Sequence, residues 1–200
     1  SALQVYGHLF EAPFLRETEL HFATEGARCL EDRDVAQFLE HTDARLQQCS
    51  DMVVNFLDAS TRKPLVVTVE RHLLAPHTMA LLAKGFDALM DQNRIPDLRR
   101  LYSLFQRVAA VGELKAAFNG HVKRVGLELV TDEKRDKELV AQLLVLKARL
   151  DVILKEAFAS RDIFRNALKD AFEHIMSTRG NRLAELTAKY VDAKLKGAKG

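Results

Sequence analysis

Apolar residues spaced three and four positions apart run through almost the whole chain, and that spacing most restricts how it folds. One stripe reads Val35, Phe38, Leu39, Thr42, Leu46, Cys49, Val53 and Phe56. At 3.6 residues per turn these positions share one helix face. A second reads Leu139, Leu143, Leu146, Leu150, Ile153 and Ala157, whose alternating steps suit a seam between antiparallel helices. A third holds Ile163, Phe164, Ala167, Leu168, Ala171, Phe172 and Ile175, and it predicts that Phe172 is buried. No stretch alternates strictly between turn signals, so no strand is predicted. Nine Gly and four Pro in 200 residues are also too few for a turn-dense β architecture.

Polar residues, Pro and Gly divide the pattern into about nine helices. Asp34 is placed to cap a helix reaching about Leu57. Ser60-Thr61 with Pro64 marks another start. Pro76 predicts a break after Leu73-Leu74, and Pro13 a kink or delayed start in the first segment. Asn93 to Asp97 reads as a turn before Leu98, Leu101, Tyr102, Leu104, Phe105 and Val108. Gly112 opens the helix of Leu114, Phe118, Val122, Val125 and Leu129, and Thr131-Asp132 closes it or caps the next. Ser160 with Asp162, then Gly180-Asn181, introduce the last two. Helices near 25 residues span ~37 Å. The expectation is an all-α, rod-shaped protein of two consecutive elongated helical bundles, residues 1–109 and 110–200.

The hydrophobic set is 48% and charged residues 29%, enough to bury a core. Residues 1–100 hold 11 basic and 15 acidic side chains, and residues 101–200 hold 19 and 13, for +2 in all. That excess is spread over several helices, which argues against a nucleic-acid partner and for a solvated face. No apolar run approaches the ~18 residues of a membrane span. Residues 1–6 lack a basic region followed by an apolar one, so no signal peptide is expected, and the missing initiator Met fits a fragment.

Chemistry is sparse. Cys29 and Cys49 are too few for a disulfide framework or a Cys-based zinc site, and the expectation is two free buried thiols. Of His8, His21, His41, His72, His77, His121 and His174, none lie four apart, and His72 and His77 straddle Pro76. Gly-rich phosphate loops and nucleophile elbows are absent from the sequence. Glu31-Asp32 and Asp34 read as capping residues. The 14 aromatics fall at core spacing. The expectation is a non-catalytic chain without metal or cofactor.

Several blocks resemble the cullin family. Phe10-Glu11-Ala12-Pro13-Phe14-Leu15 followed by Thr18 is similar to the opening of the second cullin repeat. Ser60-Thr61, Pro64-Leu65, Glu70 and Leu73-Leu74 look like the next block. Asp97-Leu98, Leu101-Tyr102 and Leu104 to Val108 look like the one after. Leu144, Leu146-Lys147, Asp151, Phe158, Phe164 and Ala171-Phe172-Glu173 resemble the third repeat. Ala184-Glu185-Leu186, Tyr190, Asp192 and Leu195-Lys196 resemble its close. The blocks keep family order from Phe10 to Lys196. Asn93 to Leu98, with Lys63-Pro64-Leu65, is most similar to type-four cullins. Two places depart: His21-Phe22 replaces a tyrosine-rich pair, and Gln47-Gln48-Cys49 stands where acidic residues are expected.

The resemblance implies a stalk segment of a scaffold in a multisubunit RING-type ubiquitin ligase, acting in the cytoplasm and nucleus. In such scaffolds the first repeat docks a substrate-receptor adaptor, which in type-four cullins is a β-propeller protein. A distal domain holds a RING-box protein and the modified lysine. None of the matching blocks belongs to those regions, so no adaptor, RING-box or modification residue is carried over. The residues alone also admit a helical-repeat scaffold of vesicle tethering or trafficking, or a helical enzyme with clustered His and carboxylates.

Overall fold

The computed structural model describes residues 2–132, 134 and 136–197, and all its regular elements among these are helical. The α-helical segments are α1 (Ala2–Tyr6), α2 (Ala12–Asp32), α3 (Val35–Phe56), α4 (Arg62–Val69), α5 (Thr78–Leu81), α6 (Asp87–Asp91), α7 (Ile95–Arg107), α8 (Val111–Thr131), α9 (Asp136–Glu156), α10 (Asp162–Thr178) and α11 (Asn181–Gly197). They group into two compact units, Ser1–Leu114 and Lys115–Gly200.

Proline and capping chemistry explain most boundaries. Pro13 lacks an N–H and sits in the first turn of α2, directly after a π-helical turn at Gly7–Glu11. Two further π turns, Glu70–Leu74 and Leu82–Phe86, flank the 3-10 turn at Ala75–His77 that contains Pro76. Asp34 caps α3 in a reciprocal box: its Oδ1 accepts from the Gln37 N–H at 2.8 Å, and Gln37 Oε1 accepts from the Asp34 N–H at 3.2 Å. Before α4 the cap is Asp58 rather than Ser60-Thr61. Its Oδ1 accepts from the Ser60 N–H at 2.9 Å and the Ser60 hydroxyl at 2.6 Å, which holds its carboxyl below the usual range. Lys84 reaches back over the end of α2 and donates to the carbonyls of Leu30 (2.5 Å) and Arg33 (2.6 Å). Those groups lie at a helix end and have few intrahelical partners.

Left-handed residues follow α6, α7, α9 and α10, and the first two are closed alike. Asn93 (φ 53°) follows α6, and the Arg94 N–H donates to Leu89 O at 2.9 Å. Ala109 (φ 58°) follows α7, and the Ala110 N–H donates to Phe105 O at 2.9 Å. These are Schellman-type closures. Asn tolerates the positive φ; Ala109 adopts it with a Cβ and carries strain there.

In the first unit the α3 stripe from Val35 to Val53 is buried, as are Leu98, Leu101, Tyr102, Leu104 and Phe105 of α7. Phe56 lies on the same α3 face yet is 83% exposed. Spacing sets its direction, but burial needs a neighbour, and the last turn of α3 leaves this ring open. In the second unit all six residues of the α9 stripe are buried. Phe118, Phe158 and Phe164 of the same unit are fully buried. Phe158 and Phe164 stack at 4.4 Å, and Phe118 meets both edge-on at 5.6 and 5.9 Å. At the start of α9, Asp136 pairs with Arg179 and, at 3.2 Å, with Arg182.

The predicted α10 stripe needs correction. Phe164, Ala167, Leu168, Ala171 and Ile175 are buried, whereas Ile163 is 37% exposed and Phe172 only half-buried. Ile163 and Phe172 sit at the two edges of a face too narrow to cover seven residues. The buried face of α10 meets α8 at Gly126. A Cβ there would lie 2.1 Å from Ile175 Cδ1 and 2.7 Å from its Cγ1. Ala favours helices by about 1 kcal/mol over Gly. Gly126→Ala should nevertheless destabilise the second unit by about 2 kcal/mol, because the fully buried Ile175 must move. Denaturant melts would check this, and a gain in stability would mean the contact is looser than it stands.

Candidate functional site

The densest set of chemically active side chains in the first unit lies between α2 and α3. His21, Glu25 and Cys29 stand at steps of four on α2, so they share a face. His41 and Arg45, also four apart, face them from α3. Glu25 is buried, its side chain 3% exposed. Its Oε1 accepts from Arg45 Nε at 2.7 Å and contacts His41 Nε2 more closely still. Its Oε2 lies 3.0 Å from His21 Nε2 but accepts no hydrogen bond. Burial pushes the Glu25 carboxyl up. Hydrogen bonds from Arg45 and His41, and their charges, more than reverse this and hold it below the usual value.

Both cysteines are free and buried. Cys29 lies with Glu25 and His41 in a group whose ligand atoms are all within 4.8 Å of one another. Cys49 lines a cavity of about 320 Å³ with His21, Arg45, Phe14 and Met52. Burial raises the Cys49 thiol, Arg45 lowers it and Glu25 raises it, for a net upward shift. A thiol so placed is a poor nucleophile. The two departures from the cullin pattern, at His21 and Cys49, both fall beside this cluster.

The other sequence candidates scatter. Asp34 caps α3, and Glu31 and Asp32 are exposed at the end of α2. His72 and His77 are separated by the Pro76 turn. His77 instead packs edge-on to Phe38, with ring centroids 6.0 Å apart, and against Gly26 of α2. A Cβ at Gly26 would lie 2.8 Å from His77 Nε2 and 3.0 Å from Leu73 O, so the glycine permits this approach. His77 Nε2 is buried without a hydrogen-bond partner, and burial lowers its pKa from 6.5. The unfolded chain therefore binds this proton more readily. The neutral ring's stabilisation is complete above 6.5 and is lost as pH falls below it. Melts across that range should show a shallower loss for His77→Leu than for the unaltered chain, and parallel curves would contradict the assignment.

In the second unit, α9, α10 and α11 line an apolar cavity of about 630 Å³. Leu143, Leu168 and the half-buried Phe172 form its floor, with Leu144 (54% exposed) and Met176 (44%) at its edge. No helix among the described residues is long and apolar enough to cross a membrane.

Sequence reading misses the α2–α3 cluster when it looks only for histidines four apart. The signal is present as His21-x3-Glu25-x3-Cys29, with His41 on the next helix. Mixed donor types at helical spacing carry the same geometry as a His pair.

Comparison with known proteins places these features. The family model described as the cullin alpha solenoid domain matches residues 1–200. The chain is 41% identical over 197 residues to "Cullin-4A" of Homo sapiens, covering 98% of this chain and 26% of that protein. It is 32% identical over 196 residues to "Cullin-4" of Dictyostelium discoideum, covering 98% of this chain and 24% of that one. It is also 32% identical over 204 residues to "Cullin-3B" of Arabidopsis thaliana, covering 98% and 28%. The chain thus spans about a quarter of the length of these relatives. With a match over its whole length and an all-helical interior among the described residues, the chain belongs to the cullin family.

Proposed function

We propose that this chain is a stalk segment of a cullin scaffold in a multisubunit RING-type ubiquitin ligase. It corresponds to the second and third cullin repeats, residues 1–109 and 110–200, and separates a substrate-receptor adaptor from a RING-box module. The observation that carries this reading is the 41% identity to a type-four cullin across 98% of the chain. The segment's contribution is positional. Holding a substrate near the charged enzyme raises its effective concentration without any chemistry in the stalk. The interior of each unit suits a positional role, because buried aromatic and aliphatic stripes and capped helix ends resist local opening.

The test is a pull-down of the longer cullin that contains this segment, beside one of the 200-residue chain. The longer protein should recover an adaptor and a RING-box protein, and the chain alone neither. Recovery of vesicle-tethering subunits would replace this reading. Tight adaptor binding by the chain alone would place a docking site within these residues.

A further inference from the structure

We propose that Glu25, Cys29 and His41 form a binding site for a zinc-like divalent cation between α2 and α3. Their donor atoms, a carboxylate oxygen, a thiol sulfur and an imidazole nitrogen, all lie within 4.8 Å of one another. Bonds of about 2.0–2.3 Å to a tetrahedral ion set its ligands roughly 3.3–3.8 Å apart. The three groups need to move by only about an ångström to reach that spacing. The set mixes O, S and N donors, which suits zinc and excludes magnesium and calcium, whose ligands are oxygens.

A second, independent observation comes from Glu25 itself. Its side chain is 3% exposed, and its Oε2 is buried without accepting a hydrogen bond. A buried carboxylate oxygen left in this way is costly, and a cation would satisfy it. Arg45 holds the other oxygen and can keep it, which offsets the negative charge that the carboxylate and an ionised thiol bring together. His21, whose Nε2 stands 3.0 Å from Oε2, is placed to take the fourth position. It is also exposed and borders the neighbouring cavity, which gives an ion a way in. Binding expels the Cys29 thiol proton to solvent, so affinity should rise with pH.

The sequence expectation of no metal rests on histidine spacing and on a cysteine count, and neither tests mixed donors across two helices. The site is also separate from the stalk role, since a cation here would pin α2 to α3 without reacting.

Cobalt(II) serves as the probe because it takes zinc's geometry and absorbs. Titrated into the metal-free chain, it should give a thiolate-to-cobalt charge-transfer band that saturates at one equivalent and is displaced by zinc. Cys29→Ala should lose the band while keeping the helical circular dichroism spectrum. Cys49→Ala, which removes the other buried thiol, should keep it. No such band with the unaltered chain overturns the proposal, whatever the variants do. So does a band that survives Cys29→Ala, or one lost in Cys49→Ala.

Discussion

Phe118→Ala should destabilise the second unit by about 3–5 kcal/mol. The ring is fully buried and meets the stacked pair Phe158 and Phe164 edge-on. Truncation removes the transfer energy of the ring, leaves a cavity and breaks two aromatic contacts, each worth about 0.5–1.5 kcal/mol beyond its area. Val122, Leu150 and Ile153 of the same unit are themselves fully buried, so the core has little freedom to collapse into the space. Phe172→Ala is the control. It removes the same atoms from a half-buried position beside the apolar cavity, and should cost about 1–2 kcal/mol. Denaturant melts of both variants check the pair. Equal losses would mean that the two rings are equally enclosed, against the exposure observed.

Arg45→Ala should cost about 1–2 kcal/mol near neutral pH, below the range for a fully buried ion pair because the Arg45 side chain is 34% exposed and its charge is screened. The loss comes from what stays behind: Glu25 remains buried, without the guanidinium that donates to its Oε1. The pH dependence gives the sign. Glu25 is held below its ordinary value of 4.5 in the folded chain. Its pairing therefore stabilises the fold above 4.5, and that contribution is lost as pH falls through the depressed folded value. The gap between Arg45→Ala and the unaltered chain should close in that acidic window. A gap independent of pH would assign the loss to the packing of the Arg45 stem instead of its charge.

The helical class, the buried stripes of α3 and α9 and most boundaries are legible in the sequence because spacing, Pro and capping residues act locally. Asp34, Pro76 and Pro96 do in the structure what their chemistry dictates. Phe56, Ile163 and Phe172 are misread for one reason. Periodicity tells which way a side chain points, but not whether another helix lies across it. The cap at Asp58 escapes because Ser60 and Thr61 are themselves good cap residues; which side chain accepts is decided by backbone angles that sequence does not display. Gly126 and Gly26 can be counted in the sequence, but not the neighbours, Ile175 and His77, that make them necessary. The Glu25 cluster joins residues 16 and 20 positions apart on two helices. Its α2 half is readable as spacing. Its α3 half requires knowing how the two helices face each other.

If the proposed stalk role and its proposed division at residues 109/110 hold, loosening the turn between α7 and α8 should lower function. The direct test is a flexible Gly/Ser insertion after Ala109, in the turn between α7 and α8, made in the longer cullin that contains it. Adaptor and RING-box affinities and the rate of ubiquitin transfer to a receptor-bound substrate are measured on the same variant. Short flexible linkers hold partners at about millimolar effective concentration, so a several-fold fall in transfer is expected, with both affinities unchanged. An unchanged transfer rate, with the joint shown to be flexible, would contradict the account.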